Sequence, residues 1–138
     1  MSRSGYSDDY DSEWSLICWR GQVASAIRGK RGQAFLRELL DALEAMPDKR
    51  LIADDFRRDG EVCALGAVAV KRGRPDIGQD PEDYDGIATD LGIAPQLVQE
   101  IEFVNDELDD YYRKATPEQR WQKVHDWAES QIWDWTWE

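Results

Sequence analysis

Cysteine and histidine are scarce in this chain, which carries Cys18, Cys63 and the single His125 among 138 residues. The two cysteines lie far apart, with no CxxC and no Cys/His spacing, so neither a disulfide framework nor a zinc site is indicated. A reducing compartment suits such a chain. Long apolar runs are missing as well: no stretch approaches the roughly 18 residues of a membrane span. The start, MSRSGYSDDYDSEW, lacks the basic and apolar regions of a signal peptide. The expectation is a cytoplasmic protein that neither enters nor coats a membrane. No phosphate-cradling glycine loop, GxSxG or HExxH occurs. We therefore expect no enzyme, no cofactor and no metal.

Positive charge is missing from one long stretch. Between Pro75 and Tyr112 there are twelve acids and no Lys or Arg. The remaining 17 acids and 17 bases cancel, so the whole net charge of −12 resides there. Between Trp14 and Arg37 the pattern reverses, with Arg20, Arg28, Lys30, Arg31 and Arg37 and no acid. An acidic excess of this size argues against direct binding to nucleic acid. Carboxylates without counter-charges repel one another, so a basic partner surface gains binding energy by relieving that repulsion. The expected contact residues are Asp80, Glu82, Asp83, Asp85, Glu100, Glu102, Asp106, Glu107, Asp109 and Asp110. The competing reading is a solvated face that keeps a Trp-rich protein soluble.

What is present reads as a mainly α, compact single-domain bundle of five or six helices. Residues 1–12 have no apolar period and read as a disordered acidic leader, leaving 13–138 as the domain. From Ser12, an expected N-cap, Leu16, Trp19, Val23 and Ile27 mark one helical face up to Gly29. After a GKRG break, Phe35, Leu36, Leu39, Leu40, Leu43 and Met46 form the clearest amphipathic stripe, stopped by Pro47. Residues 51–72 admit two readings. Asp59-Gly60 is a hairpin-turn signal, which places a small β-hairpin around 51–70. The spacing of Val62, Leu65, Gly66 and Ala69 instead favours a helix. Asp80-Pro81-Glu82-Asp83 reads as a helix start, ended by Gly92. Pro95 opens a helix with its stripe at Leu97, Val98, Ile101, Val104 and Leu108. Thr116-Pro117-Glu118-Gln119 is a capping-box signature for a last helix carrying Trp121, Val124, Ala128, Ile132 and Trp135.

Ala88, Gly92 and Val98 have helix-turn-helix spacing. The second helix would nevertheless offer Gln96, Gln99, Glu100 and Glu102 to a DNA groove, with no cation to hold phosphates, so the unit is expected to serve packing. Aligning Gly86 with the turn glycine of a calcium loop puts Pro81 and Gly92 at ligand positions, which rejects an EF-hand. Nothing demands that His125 meet either cysteine as a nucleophile pair. In the final QIWDWTWE, Trp133, Trp135 and Trp137 alternate at period two, so a helix cannot bury all three on one face. Trp135 and Trp137 are candidate anchors for a partner or for a homo-dimer.

The order GEVCALG at 60–66, LGI at 91–93, VNDE at 104–107 and TPEQRW at 116–121 resembles a recurrent pattern in a family of small phage and prophage proteins with no assigned activity. The resemblance spans residues 30–130 and implies a bacterial cytoplasm. It also favours a small protein that binds and disables a host complex, in the manner of an anti-CRISPR or other counter-defence inhibitor. A DNA-mimicking inhibitor of a nucleic-acid-binding complex is thus the leading expectation. The alternative is a regulatory or structural phage module that self-associates through its Trp-rich C-terminus. Asn105-Asp106-Glu107 is expected to be a polar helix face rather than a functional patch.

Overall fold

A computed structural model describes residues 13–107 and 115–132. Within them the order is α1 (Glu13–Arg28), α2 (Lys30–Ala45), β1 (Arg57–Arg58), β2 (Glu61–Val62), α3 (Ala64–Arg72), α4 (Tyr84–Leu91), α5 (Pro95–Glu107) and α6 (Pro117–Gln131). The acidic leader, Leu108, Asp109, Asp110 and the three terminal tryptophans lie outside the described residues. The mainly α bundle with a small hairpin is what the sequence pattern leads one to expect.

The first two helices follow their apolar periods. Val23 and Ile27 are buried on α1, and Phe35, Leu36, Leu39 and Leu43 on α2. The expected four-residue break is shorter than GKRG, because α2 already begins at Lys30 and only Gly29 separates the helices. Gly32 sits in the first turn of α2, where any Cβ would collide with the Ala26 carbonyl oxygen. That absence of a side chain lets α1 fold back at so tight a corner.

Both readings of residues 51–72 hold, each for part of the stretch. β1 and β2 pair antiparallel, with Arg57 opposite Val62, across the Asp59-Gly60 turn, whose φ angles are 54° and 82°. The helix does not cover the whole segment; it starts at Ala64, once Cys63 has turned the chain. The Cys63 Sγ accepts from the Gly66 amide at 3.4 Å and so caps α3. Gly66 lies under the hairpin, where a Cβ would stand 2.6 Å from the Phe56 carbonyl oxygen and 2.8 Å from the Val62 Cβ.

The α4 start also differs from expectation. The N-cap is Asp83, whose carboxylate accepts from the Gly86 amide at 3.1 Å. Asp80 instead turns the preceding loop by accepting from the Glu82 amide at 3.1 Å. Gly92 ends α4 with a left-handed φ of 79°. The Thr116 and Gln119 capping box of α6 is present in both arms, at 3.1 and 3.0 Å.

Two side chains, Trp121 and Arg72, tie the layers together. Trp121 Nε1 on α6 donates to the Leu43 carbonyl of α2 at 3.1 Å. Arg72 grips Glu38 through two charge-assisted bonds of 2.7 and 2.5 Å, joining α3 to α2, and donates to Leu91 O of α4 at 3.2 Å. The Arg72 hydrogen bond holds the Glu38 carboxyl below its ordinary value of 4.5.

Two predictions follow from these junctions. Gly66→Ala forces the hairpin off α3 and should cost about 1–3 kcal/mol, read as a lower urea midpoint; an unchanged midpoint would show that the junction is loose. Glu38→Gln tests the depressed carboxyl. Its native-state charge stabilises the fold above the unfolded-state pKa, and that contribution is lost as pH falls through the lower folded value. The stability difference between wild type and Glu38→Gln should therefore be present near neutrality and shrink as pH falls below the ordinary carboxylate range; a difference independent of pH would exclude the charge as its source.

Candidate functional site: an acidic edge and a polar interior

Ten of the twelve acids between Pro75 and Tyr112 are described, and those of α5 part company with those of the 80–90 edge. Helix α5 is packed by α1, α3, α4 and α6 together. It consequently buries nine of its 13 residues, and its polar positions go inside with its apolar stripe. Glu100 is 6%, Glu102 0% and Asp106 6% exposed. These three were expected to lie on a solvent-facing contact surface, and that expectation is corrected: a helix surrounded on several sides has no outer face for them. Glu107 is half-buried.

Asn105 and Asp106 do the work of a clasp. Asn105 Oδ1 accepts from the Ala64 amide at 3.1 Å, giving the start of α3 a second cap beside Cys63. Its Nδ2 donates to the Ile52 carbonyl at 2.9 Å and to Asp106 Oδ1 at 2.7 Å. The same Asp106 oxygen accepts from the Asp54 amide at 3.1 Å. Asp54 adopts a left-handed φ of 67°, which Asp tolerates better than most residues and which this bond secures. The expected polar helix face at 105–107 is therefore an interior network at its first two residues. Sequence periodicity missed it, because its partners Ile52, Asp54 and Ala64 lie far away in the chain.

The helix-turn-helix corner of α4 and α5 has the expected shape and is used for packing. Its would-be reading face is covered by α1: Gln96 donates to Gln22 Oε1 at 3.1 Å, and Arg20 forms an ion pair with Glu100 at 3.2 Å. The basic first helix thus neutralises one acid of the acidic stretch.

What remains exposed is concentrated before and along α4. Asp80, Glu82, Asp83, Asp85 and Asp90 are all exposed, and none forms an ion pair with a described residue. Asp76 belongs to a different arrangement. Arg74 donates to it from Nε and Nη2, at 2.9 and 2.7 Å, and holds its carboxyl down at about 2. The edge is therefore five carboxylates within eleven positions, Asp90 being one that the expected contact list did not include.

His125 faces Glu44, with Nε2 3.1 Å from Oε1, and stacks on Trp121 at 5.0 Å. Cys63 is buried and Cys18 exposed. Among the described residues no group of three His, Cys, Asp or Glu side chains is placed to hold a metal ion, and no helix is long and apolar enough to cross a membrane. No family model, curated protein or solved structure matches this chain.

The two acid populations respond differently to neutralisation. Asn105→Ala leaves the Ala64 amide and Ile52 carbonyl without partners and should lower stability by about 2–4 kcal/mol. Asp85→Asn and Asp90→Asn should change it by no more than about 0.5 kcal/mol. Chemical denaturation of the three variants checks this; equal effects from all three would mean that the clasp is not interior.

Proposed function

We propose that the chain is a non-catalytic binding protein that presents the 80–90 edge to a basic surface on a host nucleic-acid-binding or defence complex and obstructs it. The observation that carries this reading is the set of five exposed carboxylates that form no ion pair with a described residue, Asp80, Glu82, Asp83, Asp85 and Asp90. Their repulsion is relieved when cations from another surface come between them. The same carboxylates stand where phosphates would stand on a nucleic-acid ligand, so the edge competes for the partner's groove. The chain's own helix-turn-helix corner supports the same direction, since α1 covers the face that would read bases. A partner in a bacterial cytoplasm belongs to the same proposal and is supported by the resemblance to phage and prophage proteins. Glu100, Glu102 and Asp106 are not part of the contact, and Asp109 and Asp110 lie outside the described residues.

The test is capture from a bacterial lysate on immobilised protein, eluted with rising salt, alongside the variant Glu82→Lys/Asp85→Lys/Asp90→Lys. These positions carry no fold-holding side-chain bond, so the variant should keep its melting temperature. The expected result is a nucleic-acid-binding protein released at moderate salt, displaced by added duplex DNA and held at least about tenfold more weakly by the variant. Equal retention by the charge-reversed variant would overturn the reading, and capture indifferent to DNA would remove the mimicry from it.

A further inference from the structure

An aspartate followed by glycine is a weak point of a protein backbone, because no side chain screens the glycine amide from the neighbouring carboxyl. The chain has two such pairs, Asp59-Gly60 and Asp85-Gly86. Both aspartates are exposed, and the dipeptide alone does not separate them. Their backbones do.

Asp59 and Gly60 form the two-residue turn between β1 and β2, with φ angles of 54° and 82° that match the central positions of a type I′ turn. The Gly60 amide makes no hydrogen bond with a described residue, and nothing lies within 4 Å of the place a Cβ would take. Asp85 and Gly86 instead lie in the first turn of α4. There the Gly86 amide donates to the Asp83 carboxylate at 3.1 Å, and the Asp85 carbonyl accepts from the Thr89 hydroxyl at 3.0 Å.

We propose that Asp59-Gly60 is a site of spontaneous isoaspartate formation in the folded protein and that Asp85-Gly86 is protected from it. The Gly60 nitrogen bonds to Asp59 Cγ; its proton and the carboxyl hydroxyl leave together as water, closing a five-membered imide. Water then adds to one of the two imide carbonyls. Breaking the bond from nitrogen to Cγ restores aspartate, whereas breaking the bond from nitrogen to the main-chain carbonyl carbon of Asp59 leaves the chain running through Cβ. One water departs and one returns, so solvent is the only co-reactant.

The turn accommodates this step and the helix does not. Ring closure rotates the Asp59–Gly60 peptide to an Asp59 ψ of about −120°, the first central position of a type II′ turn, whose positive φ Asp59 already has. Gly60 swings to negative φ, which costs glycine nothing sterically. Types I′ and II′ both close a two-residue hairpin, so the imide forms without parting β1 from β2. At Asp85 the same rotation leaves the helical region, breaks the bonds made by Gly86 and Thr89, and waits on opening of the α4 start. The isoaspartyl product adds one main-chain carbon to the turn and so disturbs the pairing of Arg58 with Glu61. This turn is separate from the acidic edge, so its failure would leave the partner-binding reading standing.

The test holds full-length protein at neutral pH, folded in one sample and in guanidinium chloride in the other, and follows both pairs by peptide mapping. The imide is read as the loss of one water and the isoaspartyl peptide by its shifted retention. In the folded sample Asp59 is expected to convert at least about tenfold faster than Asp85, which must await local opening; in denaturant the difference should close. Equal rates in the folded sample would overturn the proposal, as would conversion of Asp59 in denaturant only. A preference for Asp59 that persists undiminished in denaturant would overturn it too, because the flanking residues rather than the turn would then set the rate.

Discussion

One buried amide side chain decides how the middle of this molecule is assembled. Asn105, 1% exposed, joins the start of α3 through the Ala64 amide, the 51–56 segment through the Ile52 carbonyl, and its own neighbour Asp106, which in turn holds Asp54. Each of these backbone groups would cost about 1–3 kcal/mol if buried without a partner. The segment between α2 and α3 is too short of regular structure to satisfy them itself, having only a two-residue ladder on each strand. The hairpin, the Cys63 turn and the close seat of Gly66 under Phe56 all depend on the side chains that α5 sends into the interior.

That arrangement explains why charge and surface separate. A helix packed by four others takes its polar residues inside when they have work there, and Glu100, Glu102 and Asp106 follow the apolar stripe into the bundle. Arg20 meets Glu100 from the basic first helix, so part of the opposition between basic and acidic stretches is resolved within the fold. The unresolved part is on the loop before α4 and on α4 itself. The candidate contact thereby shrinks from two successive helices to one edge.

Much of the fold was legible in the sequence because the signals are local. The stripe from Phe35 to Leu43, the Gly92 stop, the Pro95 start and the capping box at Thr116 each follow from spacing within a few turns. The misplaced α4 start has a local cause as well: Asp80-Pro81 and Asp83 are both plausible caps, and the choice falls to Asp83, whose carboxylate reaches the Gly86 amide. Residues 51–72 contained a turn signal and a helix signal, and periodicity could not show that they apply one after the other. The interior acids were not legible at all from the helical wheel. Periodicity identifies the most apolar face of α5 but cannot count how many neighbours surround the helix. Nothing local marks that Cys63, Gly66 and Asn105 converge on the start of α3.

The central claim is that α5 holds this junction from inside, taking Glu100, Glu102 and Asp106 off the surface and leaving the 80–90 edge as the exposed part of the described acidic stretch without ion pairs to described residues. Amide hydrogen exchange at Ala64 and Asp54 measures it most directly, because these are the amides accepted by Asn105 and Asp106. Both should exchange only on global unfolding, as slowly as amides in the middle of α2. Exchange at the rate of a solvent-open loop would contradict the clasp and, with it, the division of the acids into interior and edge.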